Sequence, residues 1–175
     1  MIHVVMDTSA LISLGMIDTL RKAAEITKIT VPLTVKHELE EIEKYKNKEG
    51  RAARNVLQMI RSKQISITRI KTTKKVDSLL SKDINRGEAE CFVCCLENNI
   101  KILVMDDVDA AYGLEGLAIA NSIKIKISAA VLVELHRQKL IDKRELKKSI
   151  RDLVKIREWE GGALEVLAKK YLEGV

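Results

Sequence analysis

Acidic residues occur at four places in the chain where carboxylates could do chemistry. Asp7 follows an apolar run in MIHVVMDTSALISL, directly after Ile2, Val4, Val5 and Met6. A carboxylate inside a core costs free energy, so one at the tip of an apolar strand points to a mouth where something binds. Glu38 lies in VPLTVKHELEEI and Glu88 in NRGEAECFVCC, while Asp106, Asp107 and Asp109 follow KILVM. Carboxylates repel one another unless a cation offsets their charge. Oxygen donors without a His or Cys set suit Mg²⁺ or Mn²⁺, metals that serve phosphoryl chemistry by polarising phosphate and activating water.

Each of these residues also has a plainer role. Glu38 belongs to an acidic run with Glu40, Glu41 and Glu43, the usual mark of a solvated helix face. Glu88 suits the first turn of a helix, where the macrodipole favours an acid. Asp106 or Asp107 suits a helix N-cap. Thr8 and Ser9 could hydrogen-bond Asp7 or a phosphate oxygen, or cap the helix that follows. Lys36 and Arg86 flank the acidic positions and are the candidate phosphate-binding cations. The histidines offer no evident base: His3 falls in a strand, His136 on a late helix, and His37 faces away from its neighbour Glu38 on a helix.

The elements that must position these groups alternate along the chain. Residues 2–6 read as a strand, 8–26 as helix broken near Gly15, and 29–31 as a short strand. Pro32 fits the first turn of a helix carrying Val35, Leu39 and Ile42. A helix is expected over 47–60, a short strand from Ile65 through Ile67 toward Ile70, and a turn or two of helix over 76–80. Gly87 opens a strongly apolar helix to about Glu97. Residues 101–105 read as a strand, 108–121 as helix, 123–127 as strand and 128–139 as helix. Asp142 caps a helix to about Arg157, and a last helix covers 160–172. This alternation predicts an α/β fold with a parallel central sheet of about five strands, helices on both faces and extra C-terminal helices. Such sheets place their sites at the C-terminal strand ends, where Asp7, Asp106 and Asp107 fall.

The 175 residues are 46% apolar and 32% charged, within the range of one globular domain. We read 1–175 as a single domain whose helical extension begins near 142. No run of about 18 apolar residues exists to span a membrane. Asp7 interrupts the first apolar stretch too early for a signal peptide, so a cytoplasmic protein is expected. Cys91, Cys94 and Cys95 share one helix face, with no second Cys or His pair to complete a zinc site, and read as buried reduced thiols. The net charge of +6 favours an anionic partner, nucleic acid first. Residues 61–75 carry six basic groups and no acid, and residues 137–158 carry nine against four acids. Either stretch could track phosphates or simply be solvated. Aromatics make up only 3%, too few for a base-stacking platform.

The order and setting of the acidic residues resemble the PIN-domain family of nucleases. DTSALI matches the family's first aspartate with its following Thr or Ser, at Asp7, Thr8 and Ser9. VKHELEEI supplies the helical acid Glu38. GEAEC supplies the third, Glu88, and LENNIKILVMDD the fourth, at Asp106 or Asp107. The resemblance covers nearly the whole chain, and ISAAVLVELHRQKLI adds to it. Glu88 stands where Asp is commoner, as in a subgroup with Glu at that position. The resemblance implies a PIN-like fold and a Mg²⁺- or Mn²⁺-dependent endoribonuclease that cuts single-stranded RNA. Asp7, Glu88 and Asp106 or Asp107 would hold metal, with Glu38 orienting water or binding a second ion. It further implies a homodimer, and a toxin of the VapC type with an antitoxin protein as partner.

Two other readings stay in view. One is a PIN-like RNA-binding or RNA-processing protein with weak or no catalysis. The other is a dehalogenase-like phosphatase with Asp7 as nucleophile. That chemistry needs a second carboxylate two residues on, where Ser9 stands.

Overall fold

Val4, Val5 and Met6 are buried completely or nearly so, and the strand they form lies at the centre of the sheet. In the computed structural model, which describes Met1–Val175, β1 (Ile2–Met6) pairs on one side with β2 (Thr27–Pro32). On its other side β1 pairs with β4 (Ile102–Val104). β3 (Ile65–Thr68) and β5 (Lys124–Lys126) form the two edges. All five strands are parallel, in the order β3-β2-β1-β4-β5, and ten helices flank them. A strand covered on both faces must be apolar on both, which explains the unbroken run Val4–Met6 before Asp7.

The chain builds outward from β1 to β3, then returns to start again at β4. Between β1 and β4 the winding direction therefore reverses, and a crevice opens beyond their C-terminal ends. Val5 aligns with Leu103, and the Asp7 amide donates to the Val104 carbonyl at 3.0 Å. This register brings Asp7 and Asp106 to the same end of the sheet.

The helices follow the expected order with shifted ends. The first helical stretch divides into α1 (Thr8–Met16) and α2 (Leu20–Ile26). The break falls just beyond Gly15, at Asp18, whose φ of 56° no helix accommodates. Gly15 serves packing instead: a Cβ there would lie 3.1 Å from Ala52 Cβ on α4 (Lys48–Arg61), so its absence lets the two helices close up. Pro32 is the last residue of β2 and the extended N-cap of α3 (Leu33–Ile42), rather than part of the first helical turn. Its fixed φ suits either place, and pairing with Thr68 of β3 keeps it in the sheet. The third strand stops at Thr68, short of Ile70, and α5 (Thr73–Leu79) follows.

Helix α6 (Arg86–Glu97) packs across β2, β1 and β4. Cys91, Cys94 and Cys95 are free and buried on it. The Cys91 thiol lies 3.9 Å from the Met6 carbonyl oxygen, and burial pushes all three thiols up, Cys94 to about 12. They pack as core residues.

After α7 (Val108–Ala120) and β5, helices α8 (Ser128–Arg137), α9 (Lys143–Ile156) and α10 (Ala163–Glu173) pack on one another. Asp142 and Glu145 form a reciprocal capping box at the start of α9. Leu146, Ile150, Leu153 and Val154 turn its apolar stripe inward. The stripe fixes the rotation of α9 and so decides where its C-terminal residue, Arg157, is delivered. No helix is long and apolar enough to cross a membrane.

Candidate active site

A cavity of about 240 Å³ opens at the C-terminal end of the sheet. Asp7, Thr8, Ser9 and Ile12 line it from the start of α1, and Glu38 and Ile42 from α3. Asn85, Gly87 and Glu88 line it from the start of α6, Glu49 from α4, and Arg157 from the end of α9. Three of the acids that the sequence singles out, Asp7, Glu38 and Glu88, therefore share one wall. Asp106 and Asp107 do not line the cavity; Asp106 is near enough to Asp7 for its charge to act on it, and Asp107 caps α7.

Asp7 is only 4% exposed. It is the N-cap of α1, and one carboxylate oxygen accepts from the Ala10 amide at 2.8 Å. The Ser9 hydroxyl lies 2.8 Å from both Asp7 oxygens and accepts from the Asp106 amide at 3.0 Å. Ser9 thereby ties the ends of β1 and β4 together. Burial pushes the Asp7 carboxyl up to about 8, and the nearby charges of Asp106 and Glu88 push the same way. The Ala10 amide and the Ser9 hydroxyl oppose that rise.

Asp106 is buried at the N-terminus of α8. Its Oδ1 accepts from the Ser128 amide at 2.7 Å, so a residue from the end of β4 caps a helix that has no side-chain cap of its own. Its Oδ2 is buried and unpaired, as are the hydroxyls of Ser13 and Ser128, both close enough to pull the carboxyl down. Burial raises the Asp106 carboxyl, while the Ser128 amide and the charge of Arg157 pull it down. Asp107 spends one oxygen on the Ala110 amide at 2.9 Å as the N-cap of α7, and Asp109 is exposed in that helix's first turn.

Glu88 performs the cap role expected of it. Its carboxylate accepts from the Asn85 amide at 2.8 Å while Asn85 Oδ1 accepts from the Glu88 amide at 3.0 Å. It nevertheless reaches the cavity. Burial raises its carboxyl, with the charges of Asp107 and Glu38 adding to the effect.

Glu38 accepts a hydrogen bond from the Thr8 hydroxyl. Its Oε1 lies where a Cβ on Gly87 would stand, so only glycine leaves it room against the first turn of α6. Gly87→Ala forces the Glu38 carboxylate aside. The carboxylate is the far end of a flexible side chain, so the fold survives, and the helix gains about 0.5–1 kcal/mol of propensity. Thermal melts should show equal or higher stability while any catalytic rate that depends on Glu38 falls about 10-fold, by the logic of small misplacements at a reacting centre. A variant with an unchanged rate would separate Glu38 from the chemistry.

The two cations that the sequence suggests are held elsewhere. Lys36 pairs with Glu40 on the next turn of its own helix. Arg86 pairs with Asp77 at 2.9 Å and Glu90 at 3.8 Å. Neither lines the cavity, because adjacency in sequence to Glu38 or Gly87 turns a helical side chain away from theirs. Exposed His37 also points elsewhere, His3 bonds Thr30 at 2.8 Å, and His136 bonds the Ile141 carbonyl at 3.0 Å. The cation that does line the cavity is Arg157, paired with Glu49 at 2.9 Å. In the sequence Arg157 is one of nine basic residues in its stretch, and Glu49 an ordinary first-turn acid. No local signal marks either.

The donor set is oxygen alone. Three buried or nearly buried carboxylates carry raised proton affinities, and one of their oxygens is orphaned. That combination fits a hard divalent cation, which would offset the charge that burial penalises. No three His, Cys, Asp or Glu side chains stand together as a ready ligand set. The acids converge as charges, and a shared ion requires side-chain rotation.

No curated protein and no solved structure matches the chain. The family model described as DUF3368: PIN domain matches residues 3–163, and with that match, the parallel five-stranded sheet and the acidic crevice, the chain belongs to this PIN-domain family.

Proposed function

We propose that this protein is a divalent-metal-dependent endoribonuclease that cuts single-stranded RNA, with Mg²⁺ or Mn²⁺ as cofactor. The observation that carries the reading is the buried pair Asp7 and Asp106, both with raised proton affinity, close to Glu88 at the reversal point of a PIN-domain sheet. Asp7, Glu88 and Asp106 would hold the metal, Asp106 through its unpartnered Oδ2, with Asp107 as the alternative fourth acid. When bound, the metal supplies charge neutralisation at the phosphate and lowers the proton affinity of the attacking water. Glu38, which accepts from the Thr8 hydroxyl, would orient that water. Ser9 fixes the Asp7 carboxylate and the Asp106 backbone at one separation. The groove is too poor in aromatics to stack bases, so the strand is held through its backbone.

The Glu-containing VapC-like subgroup, and with it a toxin neutralised by an antitoxin protein, is the biological setting we propose. A homodimer is proposed too: Tyr112 and Ile119 on α7 and Val166 on α10 are the kind of exposed apolar side chains a second copy would cover.

A second reading, an RNA-binding protein with weak or no catalysis, is favoured by one observation. The Glu88 carboxylate already serves a capping box, and no three ligands are assembled. One assay divides the two. Single-stranded and duplex RNA of the same sequence are incubated with Mg²⁺, Mn²⁺ or EDTA. Cutting of the single strand that appears with metal and vanishes in EDTA is expected. Binding without cutting in either metal would favour the second reading.

A further inference from the structure

Four carboxylates and a single guanidinium line the acidic cavity. A polyanion entering such a cavity meets repulsion unless a fixed cation receives it. Arg157 is the C-cap residue of α9, and its side chain is 20% exposed. Its Nη1 donates to Glu49 Oε1 at 2.9 Å, while its Nε is buried and donates to nothing. A guanidinium carries five N–H donors in a planar fork, and here much of that fork is left without a partner.

Arg157 and Glu49 also wall a second hollow, together with Met16, Asn47, Lys48, Ile156 and Glu158. The pair thus stands between the acidic cavity and an outer groove. That groove holds a second cation, Lys48, at the Asn47-capped N-terminus of α4, a helix of 14 residues. Four carboxylates face one cation in the inner cavity, whereas two carboxylates and two cations line the outer groove, so the acidic excess ends at Arg157.

We propose that Arg157 is a phosphate-binding residue for the RNA strand, and that Glu49 occupies the guanidinium until the strand arrives. Carboxylate and phosphate accept from the same fork, so the exchange replaces one charge-assisted pair with another. The strand leaves the acidic cavity past Arg157 toward Lys48. The inference rests on the nucleic-acid reading above and adds the cation that the acidic residues lack.

The test measures binding of a fluorescein-labelled single-stranded oligouridine by anisotropy in EDTA, where no cutting occurs, across about 50–200 mM salt. Arg157→Gln is expected to weaken binding about 10-fold or more, the range of a charged hydrogen bond. It should also flatten the slope of log K against log salt by about 0.7, one single-strand phosphate contact. Arg157→Lys should keep the slope but recover only part of the affinity, because an ammonium lacks the fork. Glu49→Gln should tighten binding several-fold. The double variant Glu49→Gln, Arg157→Gln leaves no unpaired carboxylate behind, and it serves if Arg157→Gln alone melts early. An unchanged slope in the folded variants overturns the inference, as does a wild-type protein that does not bind the strand. Metal-dependent cutting that persists in Arg157→Gln with an unaltered KM also overturns it, and leaves the nuclease reading intact. Loss of binding in Arg157→Gln, with cutting indifferent to Asp7, would do the reverse.

Discussion

Asp7→Asn is expected to cut single-stranded RNA at least about 100-fold more slowly than wild type, a loss beyond the 10–100-fold usual for residues that merely support metal ligands. The change is close to isosteric. Asn is as good an N-cap as Asp, so it can still accept from the Ala10 amide, and the Ser9 hydroxyl can donate to its carbonyl oxygen. What disappears is the negative charge. The fold should therefore persist while affinity for the divalent ion and the rate fall together. Initial rates in saturating Mg²⁺ or Mn²⁺, with calorimetric titration of the metal, read the two effects separately. Wild-type rates in the variant would remove Asp7 from the reacting centre.

The same burial makes stability depend on pH in an unusual direction. With Asp7 raised to about 8, and Asp106 and Glu88 also raised by burial, the folded protein binds more protons than the unfolded chain above the ordinary carboxylate range. Stability then falls as pH rises, because the state that binds more protons loses ground as they become scarce. In EDTA, the contribution is full below about pH 4 and is lost as pH passes through about 8. Each tenfold gain in proton affinity on folding corresponds to about 1.4 kcal/mol, so the whole loss from Asp7 is on the order of a few kcal/mol. Urea unfolding in EDTA at about pH 5 and about pH 8 should show the higher midpoint at pH 5. Asp7→Asn should flatten most of this difference, and saturating metal should reduce it in the wild type. A midpoint that rises with pH in EDTA would mean that Asp7 is not desolvated in solution.

Local signals account for much of the architecture. The apolar run before Asp7, the Asn85–Glu88 and Asp142–Glu145 capping pairs, and the apolar periodicity of α4, α6 and α9 are each written within a few residues. The parallel sheet follows from strands alternating with helices. Asp7 stands out because it ends an apolar strand and Glu88 because it opens an apolar helix, whereas Glu38 is one acid of a mid-helix run, and the structure brings all three to one cavity. Pairings across the fold are not legible in this way. Arg157 meets Glu49 across 108 positions, a contact set by how α9 packs on α1 and α8. Lys36 and Arg86 look placed for phosphate only while sequence neighbours stand in for spatial neighbours. Lys36 instead meets Glu40 one helical turn on, and Arg86 meets Asp77 of α5 and, more distantly, Glu90. The choice between Asp106 and Asp107 likewise depends on backbone direction at a single residue, where one side chain turns to Ser128 and the next to Ala110.

The central position of β1 has a consequence for the order of synthesis. β1 finds its first neighbour, β2, early, but Asp7 meets the end of β4 only when Val104 and Asp106 have been made. The guanidinium at the mouth arrives later still, at position 157. A growing chain on the ribosome thus carries Asp7 with no finished cavity until β4 and the end of α9 have been made. Long-range pairing of this kind is also slow to form. A protein that cuts RNA would be made beside a large quantity of it, and this topology withholds Asp106 and Arg157 from Asp7 until their parts of the chain have been made.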